Sequence, residues 1–203
     1  AVLPHLAAKR SCEPPAVRVK ISELHEVVIQ APGLSCNRMR KTPEKIRVRW
    51  DGARVRVNGK KIILPAVFSA PEPVSVDGGR YRGRIIIDGK TPLVINVLDV
   101  ESYVAGVLNH EIDSAWPAQA VDAQTILIRT YVLRQSKERK NREFDVDSTV
   151  ADQVYGGMTA EDDLAWASVR RTRGKVLVYK GELAMGHYHS CCGGRTELPS
   201  AAW

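Results

Sequence analysis

Glu111 is the first residue of this chain to weigh for chemistry, because it stands in a bend, Asn109-His-Glu-Ile-Asp113, between two helix-like segments. A carboxylate held this way can reach a cleft while rigid elements fix its backbone. The same position also suits an ordinary surface glutamate at a helix end. Asp113 offers a second carboxylate close by, as a solvated turn residue, a partner that disfavours ionisation of Glu111, or a base in its own right. Gln124 and Tyr131 are seven residues apart, hence on one helical face, where they line a groove or simply pack. Gln153 and Tyr155 fall in a loop, and His189 and Ser190 precede the glycine pair Gly193-Gly194, which permits close backbone approach to a ligand or a tight turn. A Ser/His/Asp hydrolase is set aside. No glycine-x-serine-x-glycine elbow is present, and neighbouring His and Ser on a strand point to opposite faces.

The elements that must position these residues follow from periodicity. The spacing predicts a helix from Val100 to about Asn109, with Asp99 as N-cap and Glu101 in its first turn. A second helix starts at Pro117, and Val121, Gln124/Thr125, Ile128 and Tyr131/Val132 make its buried face. A third runs from about Ala160 to Arg171, capped by Thr159. Before Asp99 the period is two. Ala16–Ile21 and Glu26–Gln30 read as strands and 32–43 as loop. Ile46, Val48 and Trp50 alternate with arginines, and Val55 and Val57 continue the pattern after an Asp51-Gly52 turn. Lys61–Leu64, Tyr81–Ile87 and Leu93–Leu98 follow as strands; 144–158 reads as loop, and Lys175–Tyr179 with Glu182–His189 as a hairpin. The expected fold is α+β, an antiparallel β-rich N-terminal half (16–98) packed on a helical and hairpin-containing half (99–203). Residues 1–15 form a tail.

Bulk properties narrow the partners. The net charge is +7 and the pI about 9.4, which favours polyanions. Aromatic residues make up only 6% and the bases are spread through strands, which argues against a nucleic-acid module. No apolar run reaches membrane-spanning length, so membrane association would need an anchor that this sequence does not contain. Cys12 and Cys36 could pair in an oxidising compartment, and Cys191 and Cys192 are adjacent.

Five ordered blocks resemble the SpoIID/LytB family of sporulation and cell-wall proteins. They are Tyr103/Val104/Gly106/Val107 with Glu111, Trp116/Pro117, Arg129/Thr130/Tyr131, Gln153/Val154/Tyr155 and His189/Ser190/Gly193/Gly194/Thr196. The resemblance implies an extracytoplasmic peptidoglycan lytic transglycosylase that cleaves glycan strands lacking stem peptides and leaves 1,6-anhydro-muramyl ends. Glu111 is then the catalytic acid and base. Gln124, Arg129, Tyr131, Gln153, Tyr155, His189, Ser190, Gly193 and Gly194 become candidate substrate contacts, with the tyrosine rings offering apolar plates for sugars. Ile112 and Trp116 are available as an apolar pocket for the carboxyl. Some relatives are described as enhancers of a wall amidase, so a non-catalytic glycan-binding role is the alternative, with the amidase as partner.

The chain departs from the family in two places. Asp113 stands where a proline is common, and the stretch Phe144–Asp152 lacks the cysteines and histidine that suit zinc in some relatives. No cofactor is expected. His187, His189, Cys191 and Cys192 are too crowded for easy four-point coordination.

Overall fold

The computed structural model describes residues 14–186 and Gly194. Two six-stranded sheets and three helices make up an α+β fold, as expected. The strands are β1 (Ala16–Glu23), β2 (Glu26–Gln30), β3 (Ser35–Cys36), β4 (Lys45–Trp50), β5 (Val55–Val57), β6 (Lys60–Lys61) and β7 (Ala66–Ser69). They continue with β8 (Val74–Val76), β9 (Gly79–Tyr81), β10 (Arg84–Asp88), β11 (Leu93–Asp99), β12 (Val146–Asp147), β13 (Val178–Tyr179) and β14 (Glu182–Leu183). The helices are α1 (Val100–Glu111), α2 (Ala118–Glu138) and α3 (Asp163–Arg171).

The first sheet has the order β12-β1-β11-β10-β7-β3 and the second β6-β5-β4-β2-β8-β9. Alternation builds both. In β4, Ile46 and Val48 point inward between exposed Lys45, Arg47 and Arg49. The apolar faces of the two sheets meet around Val27, Ile29, Ile46, Val48, Val57, Phe68, Ile85 and Val94. The same side of the first sheet continues into a second core, where Val17, Val19 and Leu98 receive α1, α2 and α3. The first sheet is therefore a platform shared by the second sheet at one end and the helices at the other. Tyr81 packs against both cores.

Several boundaries differ from expectation for local reasons. Tyr81–Ile87 is two strands, because Gly83 adopts a φ of +76° and a Cβ there would lie 2.2 Å from the Val97 carbonyl oxygen. The helix expected from Ala160 begins at Asp163 with Asp162 as its cap, accepting from Ala165 N at 2.6 Å. Thr159 instead donates to the Gly156 carbonyl within a 3-10 turn over 157–160. The loop expected over 144–158 contributes β12, which pairs in parallel with β1. Arg18 explains that pairing: its guanidinium and backbone N–H both donate to the buried Asp145 carboxylate, just before β12. Short strands β3, β7 and β8 fall where no strand was expected, and β6 is shorter than the expected Lys61–Leu64. At Asp99 the chain passes from β11 directly into α1, with no turn between strand and helix.

Candidate active site

α1 is the axis of the helical half. Asp99 Oδ1 accepts from Glu101 N and Ser102 N, both at 3.0 Å, fixing the helix start at the end of β11. Val100–Leu108 is buried continuously, and the helix runs two residues further than its periodicity suggested. Glu111 is thus the last helical residue, half-buried, and not part of a loose bend.

Glu111 opens onto a cleft of about 390 Å³ whose other walls include His110, Tyr131, Val150, Asp152, Val154 and Gly186. Tyr131 comes from α2, where Val121, Ile128 and Val132 anchor the buried face. The Tyr131 hydroxyl donates to Asp152 Oδ1 at 2.6 Å. Asp152 Oδ2 accepts from Arg139 Nη1 and from Asp147 N, each at 2.8 Å. Asp152 was not among the sequence candidates. Its position immediately before the matched glutamine was the available signal; Tyr131 on α2 and Arg139, which follows α2, face it. This second carboxylate in the cleft is tied to a cation, a phenol and a backbone N–H. Arg139 is correspondingly held above its ordinary range by the Asp152 hydrogen bond.

Within the glutamine-valine-tyrosine block, Gln153 and Val154 line the cleft while Tyr155 packs inward. Tyr155 is buried, and its hydroxyl donates to Asn96 Oδ1 at 2.8 Å, while its ring stacks on Tyr103 with centroids 5.4 Å apart. Burial pushes the Tyr155 phenol far above its ordinary value, so it stays neutral. Gln153 is 1% exposed and its Oε1 accepts from the Tyr103 hydroxyl at 3.1 Å. Gly106 explains the spacing, since a Cβ there would come within 2.6 Å of the Tyr155 ring. Tyr103, Gly106, Gln153 and Tyr155 clamp the 150–155 segment to α1, which brings Val150, Asp152 and Val154 to the cleft.

Arg129 is also internal. It is fully buried, pairs with Glu101 through Nε and Nη2, and donates to the Lys175 carbonyl and Thr172 Oγ1. Glu101 in turn accepts from Gly174 N at 3.1 Å. This charge-assisted knot joins α1, α2 and the end of α3. Arg129 and Tyr155, both expected among the substrate contacts, are thus buried and engaged by internal partners. Gln124 is half-buried on α2, off the cleft wall, and its Nε2 is buried without a hydrogen-bond partner among the described residues.

Ile112 and Trp116 do not form the expected apolar pocket: Ile112 packs on the helical core and Trp116 is 59% exposed. The apolar wall comes from Val150 and Val154. Asp113 is an exposed turn residue accepting from Ala115 N at 2.9 Å. Gly194 is exposed with a φ of +93°, and His187, His189, Ser190, Cys191, Cys192 and Gly193 lie outside the described residues. So does Cys12; Cys36 is a buried free thiol. Among the described residues, no group of three or more His, Cys, Asp or Glu is placed to hold a metal ion.

The family model of SpoIID, Stage II sporulation protein, matches residues 88–179, a segment running from the β10–β11 turn through the cleft to β13. This chain carries a SpoIID-family domain. It is 35% identical over 137 residues to an uncharacterized protein of Brachyspira hyodysenteriae, covering 64% of this chain and 36% of that protein. It is 32% identical over 145 residues to the amidase enhancer of Bacillus subtilis, covering 70% and 20% respectively. With stage II sporulation protein D of Bacillus amyloliquefaciens it shares 28% identity over 122 residues, covering 52% and 35%. The chain thus spans roughly a third or less of the length of these relatives.

Proposed function

We propose that this SpoIID domain cleaves peptidoglycan glycan strands from which the stem peptides have been removed, as a lytic transglycosylase with Glu111 as acid and then base. The supporting observation is the pair of carboxylates in the cleft. Asp152 is held by Tyr131, Arg139 and Asp147 N, and Glu111 is the carboxylate that α1 brings to the same cleft. Glu111 closes α1 at the cleft, and the first step requires it as the proton donor. Glu111 then donates its proton to the glycosidic oxygen, and the bond to the muramoyl C1 breaks with oxocarbenium character. The resulting carboxylate takes the proton of the muramoyl 6-hydroxyl as that oxygen bonds to C1, closing the 1,6-anhydro ring and restoring the acid. No second carboxylate and no attacking water are needed.

Such a substrate lies outside the cytoplasmic membrane, so the proposed site of action is extracytoplasmic. Among the described residues no helix is long and apolar enough to cross a membrane. The amidase-enhancer name of the Bacillus subtilis relative favours a second reading, in which the domain binds glycan without cutting it and assists a wall amidase. Amidase-stripped strands incubated with the protein and analysed by mass spectrometry separate the two. Ends in 1,6-anhydro-muramic acid, lost in Glu111→Gln by roughly two to four orders of magnitude, are expected. Intact strands with binding retained would establish the second reading instead.

A further inference from the structure

A second cleft, of about 290 Å³, lies between the β4–β5–β6 edge of the second sheet and the β10–β11 turn of the first. Trp50, Arg54, Lys61, Ile62, Leu64 and Lys90 line it. Trp50, Arg54 and Lys61 fall outside the matched segment 88–179. Of the other cations on this sheet, Arg47 and Arg49 approach Glu26 and Arg56 pairs with Asp51, whereas Lys45 and Lys60 have no ion-pair partner among the described residues. Arg54, Lys61 and Lys90 have no such ion-pair partner among the described residues, although all three are exposed and converge on one cleft. Register adds to the repulsion. Arg49 lies directly across from Arg56, and Arg56 directly across from Lys61; Glu26 and Asp51 offset the first two of these like charges and leave Lys61 without an acid among the described residues. Acids at this rim include Asp51, whose Oδ1 accepts from Arg54 N at 2.9 Å, and Glu143, whose carboxylate lies beside Gly89.

We infer that this cleft binds an acidic sugar, with Trp50 under the apolar face of a pyranose ring and Arg54, Lys61 and Lys90 on a carboxylate carried by the ring. Half-buried Trp50 supplies the flat apolar plate that saccharides use, and three converging cations supply charge-assisted hydrogen bonds. Resting on the function proposed above, the ligand is the muramoyl residue of a stripped strand. Its lactyl carboxylate is free there, whereas in intact peptidoglycan it is an amide with no charge. The cleft therefore selects strands that an amidase has already processed. Charge complementarity fixes this occupant over a neutral glycan.

The test compares the wild type, the triple variant Arg54→Ser/Lys61→Ser/Lys90→Ser, and Glu111→Gln. These cations are exposed and unpaired, so their removal leaves the fold intact, which a thermal melt checks. Co-sedimentation uses amidase-stripped strands, the same strands with lactyl carboxyls converted to methylamides, and poly(glycerol phosphate). Binding to stripped strands is expected to weaken roughly tenfold or more in the triple variant and on methylamidation, and to be unchanged in Glu111→Gln. Equal binding by the triple variant, or equal binding of methylamidated strands, overturns the inference while leaving the proposed cleavage intact. Parallel losses on stripped strands and poly(glycerol phosphate) also overturn it, as the mark of an unselective basic face. If the wild type neither binds nor cuts any strand, the proposed function fails. Backbone amide shifts at Trp50 and Lys61 with free N-acetylmuramic acid then decide: shifts absent with N-acetylglucosamine support the site, and no shifts overturn it.

Discussion

Replacing Gly106 with alanine tests whether the helix-to-loop clamp sets the shape of the cleft. A Cβ at this position would sit 2.6 Å from Tyr155 Cε2, 3.0 Å from Cδ2 and 3.1 Å from the Gly157 carbonyl oxygen. Relief to an ordinary contact of 3.4 Å requires the ring to retreat by about 0.8 Å. The ring has little room, being stacked on Tyr103 and tied through its hydroxyl to Asn96. Overpacking of this kind costs about 1–3 kcal/mol, and a stretched Tyr155–Asn96 bond adds about 1 kcal/mol. Alanine regains about 1 kcal/mol through helix propensity. Gly106→Ala should therefore lower unfolding free energy by about 1–3 kcal/mol in urea titrations, and lower strand cleavage by more than the folded fraction explains. The decisive comparison is a double-mutant cycle with Tyr155→Ala. Once the ring is gone the added methyl has space, so Gly106→Ala should be neutral or slightly stabilising in that background. An undiminished cost there would refute the clamp.

Other expectations are open to simple assays. Arg129→Met strands the buried Glu101 carboxylate and should cost about 3–5 kcal/mol by denaturant midpoint; Arg129→Met/Glu101→Gln should recover much of it, because the amide oxygen still accepts from Gly174 N. Asp152→Asn should leave the products ending in 1,6-anhydro rings, whereas reducing ends or their abolition in that variant would reassign the base to Asp152. Hydrogen bonds from Arg56, Arg54 N and Ala53 N hold Asp51 down at about 2 from an ordinary 3.8. A carboxyl lowered on folding stabilises the fold fully above the unfolded value and loses that contribution as pH falls through the folded one, here from about 3.8 through about 2. Carbon-detected NMR should place the Asp51 midpoint near 2, and Arg56→Gln should raise it.

Elements whose signals are local were legible in the sequence. The Ile46/Val48 alternation, the Asp51-Gly52 turn and the Asp99 cap all rest on neighbours within a few residues, and each stands in the structure. Glu111 was singled out by resemblance, and the structure places it at the end of α1 on the wall of a cleft. What was not legible depends on partners far along the chain. A tyrosine with a hydroxyl reads equally as a sugar plate or a core residue, and Asn96, 59 positions upstream, decides that Tyr155 is core. Arg129 looked like a groove cation until Glu101, 28 residues away, consumed its donors. Gly83 resembled any strand glycine; only the approach of the Val97 carbonyl shows why the strand must break there.

The shared platform has a practical corollary for anyone cutting the gene. Residues 88–179 look like a self-sufficient cassette, yet β11 pairs along its length with β1, from Ala16↔Asp99 to Glu23↔Leu93, and β12 hangs on the far side of β1. A fragment beginning at 88 would bare the edge of Leu93-Val-Ile-Asn-Val-Leu98 and leave Asp145 without Arg18. An uncovered apolar edge of that length recruits other chains, so such a fragment should aggregate. Adding back a strand peptide spanning 14–24 should rescue its solubility, making β1 a natural handle for split-protein reconstitution.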